Sequence, residues 1–149
     1  MDEPDEDDKD DGKTTDRLLR DYDTVLRESA LLTTFSGILF GFLLNISINV
    51  PSDFDIVDRI ILLVALYSIT VAVFLFIMPV IYHHLEYPYT DFEKFKKRSH
   101  RFMLFGVVPA IVTLYLGLVL ALLPMVGDLS FLLAAIPYVL VYIFFRKRK

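Results

Sequence analysis

His83, His84, Glu86 and His100 are the side chains of this sequence best suited to bind a metal, and their spacing argues against it. Neighbouring residues on a helix diverge by about 100°, so His83 and His84 cannot chelate from one face. Zinc sites place their ligands at wider helical spacings. The expected role of the histidines is a polar belt at a membrane interface, beside Tyr82, Tyr87 and Tyr89. There is no glycine loop for a phosphate, no nucleophile motif and no carboxylate pair. The sequence therefore assigns no catalytic residue, metal or cofactor, and the chain reads as a non-enzyme.

Asn45 and Asn49 are the strongest polar groups inside an apolar run. They could serve a small polar solute. The expected alternative is a hydrogen bond to another helix or to interfacial water. Asn45-Ile46-Ser47 matches a glycosylation acceptor but sits within or at the edge of a span, where modification is not expected. The runs contain no Asp, Glu, Lys or Arg, the usual marks of proton relays and ion paths. Lys94, Lys96, Lys97, Arg98 and Arg101 form a basic cluster beside a span. Such clusters favour anionic lipid headgroups, so the expected partner is the bilayer and not a nucleic acid.

Four apolar runs must carry these residues: about 31–50, 60–82, 102–126 and 129–145. A helix needs roughly 20 apolar residues to cross a hydrocarbon core about 30 Å thick. Three runs meet that length, and the fourth, with 17 residues, is near the lower limit. Hydrophobic residues make up 55% of 149, too many for a soluble domain this small to bury. The fold class expected is all-α: four transmembrane helices in a bundle, preceded by a cytoplasmic amphipathic helix. There is no cysteine, which excludes disulfides and thiolate chemistry, and no tryptophan, so any aromatic belt uses Tyr and Phe.

Charge sets the orientation. Residues 1–12 hold eight acids and Lys9, a charge of −7, so the remainder of this −4 chain carries +3. That acidic tail is expected to be disordered, with residues 13–149 forming one membrane domain. Lys and Arg flanking the runs divide thirteen to one: the segment 13–30, the 94–101 link and the C-terminus on one side, Arg59 alone on the other. The positive-inside rule then puts both termini in the cytoplasm of a multi-pass cell-membrane protein. Asp55 or Asp58 is expected to cap the second helix, and Thr90 to Glu93 to form a capping box for the third. Gly127-Asp128 signals a tight turn. In 16–30, Leu18, Leu19, Tyr22, Val25 and Leu26 share a face opposite Arg17, Arg20, Asp23 and Arg27. This segment is expected to lie at headgroup level before entering the first span.

Helix association in lipid depends on close approach of small residues and on interhelical hydrogen bonds. The first span carries Ser29, Thr33, Gly37, Gly41, Asn45 and Asn49 at i+4 spacing. The third carries Gly106, Ala110, Thr113, Gly117 and Ala121. Both rows are expected to face other helices, within the chain or in a homo-oligomer, while Leu43 is expected to face lipid. Pro79, Pro109 and Pro137 fall in spans two to four and are tolerated there where neighbours satisfy the freed carbonyls.

The stretch from Leu26 to Leu44, LRESALLTTFSGILFGFLL, with Asp58-Arg59 and Pro79-Val-Ile-Tyr-His83-His84, resembles an uncharacterised prokaryotic family of short four-span membrane proteins. The likeness covers about residues 17–122. That family more often has a glutamine in its first span, where this chain has Thr34, Phe35 and Ser36. The resemblance implies the four-span architecture and no activity. The function expected is an accessory or scaffold subunit of a larger membrane complex; the alternative is a small oligomeric channel or transporter with a polar stripe such as Thr33, Asn45 and Asn49.

Overall fold

The computed structural model describes residues 6–86 and 92–147, and every regular element among them is helical. α1 is Glu6–Ile48, α2 Ile56–Glu86, α3 Phe92–Val126 and α4 Ser130–Arg146, with a single 3₁₀ turn at Gly127–Leu129 before α4. Three stretches are long and apolar enough to cross a membrane: Asp23–Ile48, Ile56–Leu85 and Glu93–Arg146. The third comprises α3, the turn and α4. Gly127, at φ 59°, takes the left-handed conformation that lets the chain reverse there.

The start of α2 shows how local sequence fixes an element. Asp55 is the N-cap: its Oδ1 accepts from the amides of Val57 at 2.7 Å and Asp58 at 2.9 Å. Asp58 reciprocates, its Oδ2 accepting from the Asp55 amide at 3.0 Å. Both expected capping residues are therefore used, in a reciprocal box. The expected Thr90–Glu93 box lies partly outside the described residues, although α3 does begin at Phe92.

α2 is the centre of the molecule. Its buried residues Leu62, Ala65, Ile69, Ala72, Phe76 and Pro79 alternate in steps of three and four, the spacing of a helix–helix seam. α3 answers with Phe95, Ser99, Met103, Gly106, Thr113 and Leu120, all buried. α1 contributes Val25, Ser29, Ser36 and Leu43. Hydroxyl groups bond across both seams. The Ser29 hydroxyl donates to the Phe76 carbonyl. The Thr113 hydroxyl donates to the Ala65 carbonyl at 3.3 Å and to its own helix at Pro109 O, 2.9 Å. Ser29 thus reaches the turn where Pro79, lacking an amide hydrogen, leaves the Leu75 carbonyl without a helical donor.

α1 includes Glu6 to Asp11 of the acidic stretch, where negative charge near a helix N-terminus favours the macrodipole. Two expectations change. The amphipathic segment 16–30 is not a separate element. It continues unbroken into the first apolar run, with Val25 and Ser29 seated on α2. Lastly, the four helices do not close into one bundle. α1, α2 and α3 pack on one another, and among the described residues α4 touches only α3 and the turn. In α4 only Ser130 and Ala134 are buried. Lipid solvates apolar side chains as well as protein does, so no hydrophobic penalty forces α4 onto the other helices.

Candidate functional site

The antiparallel contacts set the levels of charged residues across the helices. Ser29 meets Phe76, Gly106 meets Phe76, and Arg98 meets Tyr82. Counting along the helices brings Arg27 of α1, Pro79 of α2 and Arg101 of α3 to one height. From Pro79 back to Arg59, α2 runs about 20 residues, or roughly 30 Å. That is the thickness of a hydrocarbon core. α4 joins the same frame. The Tyr138 ring meets Tyr115 edge-on at 5.8 Å, and the Tyr115 hydroxyl donates to Phe131 O at 3.2 Å. This register brings Arg146 within about one turn of Arg101.

At the end of the belt marked by Arg101 the chain builds its most polar cluster. Lys94, Lys97, Arg98 and Arg101 fall on one exposed face of the first turns of α3, within an arc of about 100°. Phe95, Ser99 and Met103 occupy the opposite, buried face. Lys96 is exposed but lies off the basic face. The Tyr82 ring stacks on Phe95 at 5.8 Å with an interplanar angle of 15°. The Arg98 guanidinium donates to the Tyr82 hydroxyl and lies 5.5 Å from the centre of its ring. Cation–π attraction and the hydrogen bond together hold this arginine in place. Tyr82, Arg98, Arg101, Phe102 and Phe105 line a cavity of about 340 Å³. Charge lies at its outer end and Phe rings at its inner end.

The small-residue rows divide. Gly106 is buried, and a Cβ placed there would lie 2.6 Å from Phe76 Cε1; Ala110 packs at the edge of the core. Gly117 is half-buried, but a Cβ there would meet nothing within 4 Å. On α1, Thr33 is half-buried, while Gly37, Gly41 and Asn45 are exposed, and Cβ atoms on the two glycines would likewise meet nothing. Leu43, expected to face lipid, is fully buried. The reason is angular. Each i+4 step advances about 40° around a helix, whereas each i+7 step slips back only about 20°. The row from Ser29 to Asn49 therefore winds from the packed face to the open one. Ser29, Ser36 and Leu43 keep the seam, and their seven-residue spacing was the signal available in the sequence.

Asn49 bonds back to Asn45: its Nδ2 donates to Asn45 Oδ1 at 2.8 Å and to Asn45 O at 3.2 Å. Asn45 lies level with the start of α2 near Arg59, at the end of the apolar belt away from Arg101. The rings of His83 and His84 sit 5.1 Å apart and tilted, and the described residues contain no group of three or more His, Cys, Asp or Glu able to hold a metal. The Glu86 side chain, Tyr87 and Tyr89 lie outside the described residues. Sequence reasoning placed Tyr82 in an aromatic belt but missed its pairing with Phe95 and Arg98, which only the α2–α3 register creates.

The pattern of a family of unknown function, DUF6328, matches residues 11–146. No curated protein and no solved structure matches the chain.

Proposed function

The chain belongs to the DUF6328 family of unknown function, and for this member we propose a four-span integral membrane protein that acts by association, as an accessory or scaffold subunit of a larger membrane assembly. Both termini face the cytoplasm in this reading. The thirteen-to-one division of basic residues supports that orientation, as does the common level of Arg27, Arg101 and Arg146. The register of α4 against α3 supports a fourth crossing, because its 17 residues cover about 25 Å and end close to that level.

The observation that carries the association reading is the pair of uncovered helix faces on α4 and α1. Most residues of α4 are exposed, and α1 turns Gly37 and Gly41 outward, where an added Cβ would meet nothing among the described residues. Small residues in a lipid-facing position let another backbone approach closely. Purification in a gentle detergent after cross-linking in the membrane tests the reading. Stoichiometric cross-links from cysteines placed at Gly37 or Gly41 to other membrane helices are expected. A chain that stays uncross-linked and monomeric would contradict it. Single-channel currents from the reconstituted protein alone would favour the oligomeric channel instead.

A further inference from the structure

We propose that the cavity between the inner ends of α2 and α3 holds one anionic phospholipid, its headgroup phosphate on Arg98 and Arg101 and an acyl chain along Phe102 and Phe105. The proposal rests on the reading that residues 94–101 face the cytoplasmic leaflet. The cavity is lined by these four residues and Tyr82, and measures about 340 Å³. Arg98 and Arg101 are three residues apart and so lie one turn apart on the same face of α3. Paired guanidiniums suit a phosphate because their planar forks can each give parallel hydrogen bonds to its oxygens.

Arg98 is already positioned. It donates to the Tyr82 hydroxyl and rests against the Tyr82 ring, which also stacks on Phe95. A guanidinium has five donor hydrogens, so most remain for a ligand. A side chain fixed beforehand loses less freedom on binding. Arg101 is exposed and lines the same cavity.

The lining also selects the class of ligand. A free anion would use only the charged end. Here Phe102 and Phe105 continue from Arg101 into the apolar belt, and Phe105 is exposed. Charge followed by apolar surface, at the height where lipid phosphates lie, fits an amphiphile. Lys94 and Lys97, further out on the same face, add general attraction for an anionic leaflet without lining the cavity.

The test uses the full chain in dodecyl maltoside, titrated with dioleoyl phosphatidylglycerol and read by native mass spectrometry. One saturable lipid per chain is expected, with dioleoyl phosphatidylcholine at least about tenfold weaker. Arg98→Gln/Arg101→Gln should weaken phosphatidylglycerol binding by about tenfold or more. Lys94→Gln/Lys97→Gln removes the same charge and should change it less than about threefold. Arg101→Gln alone, at an exposed side chain, should weaken binding while leaving the elution profile and melting temperature unchanged. Equal loss in the lysine and arginine pairs would overturn the site in favour of diffuse attraction. Competition by glycerol phosphate at the same concentration would overturn it in favour of a free-anion site. Unchanged binding in Arg101→Gln would overturn it outright. A cysteine at position 97 reacting from the external side would instead remove the orientation on which the proposal rests.

Discussion

Gly106→Ala should destabilise the protein by about 1–3 kcal/mol relative to Gly41→Ala. The two substitutions add the same methyl group to the same kind of helix, so the gain in helix propensity of about 1 kcal/mol is shared and cancels. Their surroundings differ. At Gly106 the new carbon would sit 2.6 Å from Phe76 Cε1, 2.9 Å from Phe76 Cδ1 and 3.2 Å from Leu75 Cβ. Carbon atoms prefer about 3.5–4.0 Å, so roughly 1 Å must open between α2 and α3 or the ring must move. Phe76 is 1% exposed and is packed within the seam, so its ring has no free space to enter. At Gly41 the same carbon meets nothing within 4 Å. The assay is thermal unfolding followed by circular dichroism in one detergent, because the chain has no tryptophan for fluorescence. Phe76→Leu should rescue part of the loss: Gly106→Ala is expected to destabilise less on that background than on the wild type. If Gly106→Ala melts together with Gly41→Ala, the packing of α3 on α2 described above is wrong.

Thr113→Val keeps the shape of the side chain and removes its hydrogen bond to Ala65, and should lower stability by about 0.6 kcal/mol, up to roughly 1.7, in denaturant titration; no change would show that the bond is not formed in the membrane. Asp55→Ala removes the cap of α2 and should cost about 1 kcal/mol, read as a lower melting temperature. Gly37→Leu and Gly41→Leu should leave the melting of the isolated chain unchanged while removing any larger species on size exclusion, and early melting of the monomer would place these glycines against another helix of the same chain. Deleting residues 1–12 should change neither insertion nor melting temperature, since that stretch can bury little apolar area; a markedly lower melting point would mean that it docks on the chain.

Helix positions were legible because length and hydropathy act locally. Each apolar run falls within a helix or its end, and Asp55, Asp58 and Gly127 mark the ends as their chemistry requires. Which face of each helix packs was only partly legible. On α3 the row through Gly106, Ala110 and Thr113 mixes steps of four and three, which holds a fixed direction, and these residues do face the core. On α1 the strict i+4 row drifts, and the buried side chains are Ser29, Ser36 and Leu43. The basic cluster was visible as composition. Its pairing of Arg98 with Tyr82 was not, because that contact joins residues sixteen apart across the α2–α3 connection, and no local rule sets that register.

The central claim is a chain that crosses the membrane four times with both ends in the cytoplasm, and the natural absence of cysteine makes it directly testable. Single cysteines at Ser52, Lys97, Asp128 and Lys149 would be labelled in intact cells with a membrane-impermeant maleimide, then again after permeabilisation. The account predicts immediate labelling at 52 and 128, and labelling at 97 and 149 only after permeabilisation. Labelling of position 149 from outside, or protection of position 128, would contradict the fourth crossing.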